Sequence, residues 1–204
     1  MPRVSEAHLE RRRRQILDAA RACFIRKGFY ETSMQDVFTE SGLSAGAVYR
    51  YFKSKDELVK AIATEGEALL TRFLEQLLDE DPLPPLDEIV GRFADFALTL
   101  TAPDGILRIA PHAWAAAMYN PDITVAIQEL IRTIRTWLFK IVERQRDVGR
   151  LPPDVDVEAV GTTLSFAMPG FVLARLLMGD VDADTFRNGI AGLLAAPVQA
   201  SVPD

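Results

Sequence analysis

The sequence predicts an all-α fold, and three features carry that prediction. Apolar residues recur at helical spacing, capping residues precede those runs, and Gly- or Pro-containing breakers separate them. Of 204 residues, 49% are hydrophobic, which is ample for one or two packed cores.

The first helix carries the apolar stripe Ile16, Ala20, Cys23 and Phe24 behind a run of four arginines at 11–14. Four cations at a helix N-terminus oppose the helix dipole, so phosphate contact would relieve them; a solvated arm is the other reading. Cys23 is the sole cysteine and reads as core, so no intramolecular disulfide can form. The N-terminus lacks an apolar signal region, and no apolar run approaches ~18 residues. A cytoplasmic protein without a membrane span is expected.

Residues 32–58, TSMQDVFTESGLSAGAVYRYFKSKDEL, hold two short helices, a tight turn and the cap of a third helix. Ser33 and Asp36 form a capping signature for a helix from Met34 to about Glu40, and Gly42 supplies the turn. Leu43 pins that turn, and Ser44 caps a second helix through residues 45–51. Ser54 and Glu57 read as an S-x-x-E capping box. Two short helices around a Gly turn are a helix-turn-helix, whose second helix enters the major groove of DNA. Small Ala45, Gly46 and Ala47 permit close approach, while Tyr49, Arg50, Tyr51, Lys53 and Lys55 suit phosphates. Ala45, Ala47, Arg50 and Gln35 are the candidate base readers. Val48 and Phe52 read as core.

The segment resembles the DNA-binding domain of the tetracycline-repressor (TetR-type) family of bacterial transcriptional regulators. The resemblance runs from about Arg14 to Ile62 and includes Gly28-Phe29, Thr32-Ser33, Ser41-Gly42-Leu43-Ser44, Val48-Tyr49, Tyr51-Phe52 and Ser54-Lys55. The candidate DNA-contacting set is Thr32, Ser33, Gln35, Ser44, Ala45, Gly46, Ala47, Tyr49, Arg50, Tyr51, Lys53 and Lys55. Phe38 departs from the family, which usually places a small residue there. Its ring must push the two helices apart or point into the core.

The remaining elements follow in order. Leu58, Ile62, Leu69, Phe73 and Leu77 keep a helical period to about Asp79, a lever on the order of 35 Å long. Residues 81–85, DPLPP, break it and form the best linker candidate. Residues 87–100 are helical, as are 106–119, where Pro111 should kink or break the helix. Asn120-Pro121-Asp122 starts a strongly periodic helix that Gly149 and Pro152-Pro153 close. The helix at 157–178 is apolar nearly all round and must be buried on every side, near a chain end often at a subunit interface; a last helix covers 184–195. The resemblance implies a homodimer through the last two long helices, and two-fold symmetry then implies a palindromic operator on double-stranded DNA.

Net charge is −6, yet residues 1–60 carry +4 and residues 61–204 carry −10. The basic end belongs to the helix-turn-helix, and the rest would repel DNA. The expected division is a DNA-binding domain at 1–54 and a helical effector-binding and dimerisation domain at 55–204. The resemblance implies that a small-molecule effector, largely apolar, releases the DNA. Candidate effector contacts are Phe73, Phe93, Phe96, Arg108, His112, Trp114, Met118, Tyr119, Phe139, Thr163 and Phe166, with plain core packing as their alternative. A DNA-binding protein whose second domain holds a protein partner is the other reading, and a filled core would favour it. No metal-ligand spacing, nucleophile elbow or phosphate-cradling Gly loop is present, so no enzyme, metal or cofactor is expected.

Overall fold

The computed structural model describes residues 6–195, so residues 1–5 and 196–204, the outer ends of the expected domains, lie outside it. The described residues form helices and no strand: α1 (Glu6–Glu31), α2 (Met34–Ser41), α3 (Ala45–Tyr49), α4 (Lys55–Leu78) and α5 (Leu86–Leu100) come first. A short 3-10 turn (Ile106–Ile109), α6 (Ala110–Ala117), α7 (Pro121–Asp147), α8 (Val157–Met178) and α9 (Ala183–Leu194) complete them.

Local chemistry sets most of the boundaries. Ser33 Oγ accepts from Asp36 N–H while Asp36 Oδ2 accepts from Ser33 N–H at 2.8 Å, a reciprocal capping box. Gly42 closes α2 at φ 66°, a conformation that would strain most side chains. Asn120 Oδ1 accepts from the N–H groups of Asp122 and Ile123, and Pro121 takes the first position of α7.

Four expectations change. Ser54 does cap α4, but Glu57 accepts from Lys53 N–H at 2.6 Å rather than from Ser54, because the side chain reaches one residue further back. The second helix of the motif stops at Tyr49 and continues as a turn. Pro111 does not kink a long helix; it sits in the first turn of α6, where its missing N–H costs nothing, and residues 106–109 tighten into the 3-10 turn before it. Residues 81–85 are not a free linker: Leu83 and Pro84 are buried. The carbonyls of Leu78 and Pro84 accept from Arg144 and Gln145 near the end of α7, and that of Leu83 from Arg150 just beyond it.

Two cores share α4. The first joins Ile16, Leu17, Phe24, Val37, Val48 and Phe52 to Leu58, Val59 and Ile62 of α4, and also takes Ile109, Ala113, Ala116 and Ile123. The second joins Leu74 and Leu77 of α4 to α5, α7 and α8 through Phe93, Leu138, Leu164 and Phe171. Each fully buried aliphatic or aromatic side chain contributes about 1.5–3 kcal/mol, so α4 is held at both ends.

α8 is not buried on every side. Leu164, Ser165, Met168, Phe171 and Val172 face inward, whereas Phe166, Leu173 and Leu177 are exposed. By length and composition alone α8 is apolar enough to cross a membrane, a test that core helices also pass. One face nonetheless packs inside the protein, and Pro169 lies within the helix.

Candidate nucleic-acid interface and effector cavity

The helix-turn-helix is built on α1. Gly28, at φ 78°, turns the chain near the end of α1, and Thr32 Oγ1 donates to the Gly28 and Cys23 carbonyls at 2.7 and 3.2 Å. Thr32 is therefore occupied, and it alone of the candidate set is buried. Ser33 is exposed but engaged in the α2 cap. Phe38 solves its misfit by pointing inward: its ring meets Tyr49 edge-on at 5.2 Å and stays buried. Burial pushes the nearby Cys23 thiol up, leaving it an inert core group.

α3 presents Ser44, Ala45, Gly46, Tyr49 and Arg50 to solvent, with Val48 buried beneath them. Gln35 is exposed on α2, Ala47 and Tyr51 are half-buried, and Lys53 Nζ folds back onto the Tyr49 carbonyl. Lys55 is tied inward. Its ammonium donates to the Phe29 carbonyl at 2.9 Å and lies 4.6 Å from the centroid of the Phe29 ring. The arginine run divides: Arg13 pairs with Glu65 and covers the Phe52 ring, and Arg12 donates to Gln15. Arg11 and Arg14 remain exposed beside an open trough between α1 and α2.

That trough, about 580 Å³, is open, and Arg11, Arg14, Asp18 and Glu40 are among the residues that line it. A more enclosed cavity, about 330 Å³, lies between α4, α5, the 3-10 turn, α6, α7 and α8. Its size passes the ~300 Å³ lower bound for small-molecule sites. No charged side chain lines it, and Ser165 is its single hydroxyl. Ile109, Ala113 and Ile127 belong both to its wall and to the core of the helix-turn-helix.

Residues 16–62 match the tetR family of bacterial regulatory proteins. A helix-turn-helix transcriptional repressor of Mycobacterium tuberculosis, Rv1474c, is 29% identical over 182 residues, covering 88% of this chain and 90% of its own. The solved structure of Salmonella enterica GusR has a TM-score of 0.78 at 24% identity, covering 96% and 100%. A transcriptional regulator from Saccharomonospora viridis, solved with choline, has a TM-score of 0.73 at 18% identity, covering 91% and 96%. Residues 16–62 therefore form a DNA-binding domain of the tetR type, and the whole chain is similar in sequence and fold to transcriptional regulators of that kind.

The cavity wall takes Phe93, Phe96, Trp114 and Phe166 from the expected effector contacts. The others stand elsewhere. Phe73 stacks on the back of Phe96 at 4.7 Å. Arg108 reaches toward the Thr101 carbonyl, His112 packs on Gly28, and Phe139 fills the space over Gly161. Met118 and Tyr119 are exposed at the α6–α7 corner, and Thr163 faces outward with its hydroxyl on the Ala159 carbonyl. Val59, Ile62, Leu130, Ile131 and Ile134 line the cavity without having stood out, because they read as ordinary core. A signal existed in the small residues Gly66, Ala97, Ala110 and Ala113 at inward positions, which leave the space that larger side chains would fill.

Proposed function

We propose that this chain is a tetR-family repressor that binds a palindromic operator as a dimer and is released by a small, largely apolar effector. Its DNA-binding unit is residues 1–54 and its effector and dimerisation unit residues 55–204. The observation that carries the reading is the shared wall: the 3-10 turn and α6 line the cavity and also close the helix-turn-helix core. An effector that reshapes that wall displaces the seat of α1. The α4 lever crosses both cores, so its swing changes the spacing of two recognition helices. Reversing operator occupancy from 99:1 to 1:99 requires the effector to prefer the released state by about 5.5 kcal/mol. The chain also offers the dimer a surface. On α8, Thr163, Phe166, Gly170, Leu173 and Leu177 are exposed at alternating spacings of three and four, and Leu193 of α9 is exposed. The Saccharomonospora viridis neighbour, with its bound choline, supports a small-molecule site in this fold.

Selection of genomic fragments by the purified protein at ~150 mM salt tests the reading. Enriched palindromes with half-sites about 34–36 Å apart are expected. Salt-sensitive binding blind to sequence would overturn it.

A further inference from the structure

Ser165 carries the one hydroxyl among the cavity-lining side chains, and it coincides with a break in the hydrogen-bond ladder of α8. Pro169 lies inside α8 and has no N–H, so the Ser165 carbonyl one turn earlier loses its usual donor. Ser165, Pro169 and Val172 share one helix face, and all three line the cavity. The deprived carbonyl therefore belongs to a residue of the cavity wall. Ser165 Oγ spends its only proton on the Thr162 carbonyl at 2.7 Å, so the hydroxyl oxygen can only accept. Two acceptors stand together at a buried residue, with no charged side chain among the lining residues.

We propose that the effector is a neutral molecule with an apolar body and a hydrogen-bond-donating head, an alcohol or phenol, seated on the Ser165 carbonyl and hydroxyl. This rests on the reading of the cavity as the effector site. A donating head satisfies acceptors that would otherwise be buried without a partner. A carboxylate would set its lone pairs against both acceptors and bury a charge with no counter-ion. An ammonium would meet the acceptors but bury an equally unbalanced charge. The cavity holds about eleven waters' share of liquid volume, which suits a molecule of on the order of a dozen non-hydrogen atoms.

Calorimetric titration of the full chain with 4-hexylphenol, 4-hexylanisole and 4-hexylbenzoate tests the proposal. The phenol should bind about tenfold tighter than its methyl ether, and the benzoate weakest. Pro169→Ala returns an N–H to the α8 ladder. It should narrow the advantage of the phenol over the anisole, and Ser165→Ala should narrow it as well, each variant removing one of the two acceptors. Anisole binding as tightly as the phenol in the unmodified chain, or benzoate binding tightest, overturns the donor head while leaving the cavity an effector site. A phenol preference that survives Pro169→Ala undiminished overturns the role of the Ser165 carbonyl. Failure of all three compounds to bind overturns the effector site itself.

Discussion

Asn120 Nδ2 donates to Asp56 Oδ2 at 3.0 Å, joining the cap of α7 to the first turn of α4 across 64 positions of sequence. The same Asn120 caps α7 with its oxygen, so one side chain starts a helix and fastens it to the DNA-binding unit. Lys60–Asp122 at 3.2 Å stands beside it, exposed enough to add little.

Asn120→Ala should lower stability by about 1–2 kcal/mol, through the lost cap and the lost tie. Asn120→Asp keeps the cap acceptor but sets a carboxylate against Asp56. Urea unfolding should therefore place it between the parent and the alanine variant, with operator affinity altered in both variants. Equal stability of Asp and Ala variants would assign the whole effect to the tie.

Lys55 and Arg50 should separate in their response to salt. Arg50 is exposed on the motif, so Arg50→Ala should lower the salt slope of operator binding by about 0.9. Lys55 serves the Phe29 carbonyl and ring, so Lys55→Ala should lower the melting temperature and leave that slope unchanged. Anisotropy titrations over a salt series, with thermal melts, check both; a reduced slope for Lys55→Ala makes it a phosphate contact.

Gly161 lets α7 and α8 approach closely, because a Cβ there would lie 2.4 Å from Phe139 Cδ1. Gly161→Ala should cost about 1–3 kcal/mol in chemical denaturation, by forcing the ring or the helix aside. Adding Phe139→Leu should recover part of that loss. Additive losses would show that the ring is not the obstacle.

The exposed face of α8 is expected to be the dimer seam. Phe166 and Leu177 are 64% and 75% exposed in the single chain, and Leu193 of α9 is 83% exposed. Leu177→Glu should shift sedimentation toward the monomer while the helical circular dichroism holds. An unchanged dimer would place the interface elsewhere.

The α2 cap should weaken in acid. Lys27 first, then the N–H and hydroxyl of Ser33, hold the Asp36 carboxyl well below the usual carboxylate range. A depressed folded value means that the stabilisation is complete above the unfolded carboxylate pKa of about 3.9 and is lost as pH falls below it toward the folded value. Thermal melts from pH ~5 to ~3 should show a shallower decline for Asp36→Asn than for the parent. Identical declines would remove Asp36 from the acid response.

Features written within four or five residues were legible in the sequence. The Ser33–Asp36 box, the Gly42 turn and the Asn120-Pro121 start depend on neighbours along the chain, and each forms. The Ser54 box is also local, yet Glu57 has reach enough to choose Lys53 N–H instead. The cavity depends on how six elements rotate against one another. Periodicity marks Phe73 and Phe96 alike as inward, but packing puts Phe96 on the wall and Phe73 behind it. Lys55 looked like a phosphate ligand because nothing local to it reveals that the end of α1 lies within reach of its ammonium.

Operator affinity of Ala97→Met, measured against the parent with the selected palindrome, tests most directly whether filling the cavity controls the DNA-binding unit. Ala97 is fully buried on α5, lines the cavity and lies outside the helix-turn-helix core, so the longer side chain occupies effector space without touching that core. The account predicts a folded dimer whose operator affinity falls at least about tenfold, about 1.4 kcal/mol. A folded dimer with full operator affinity would contradict it.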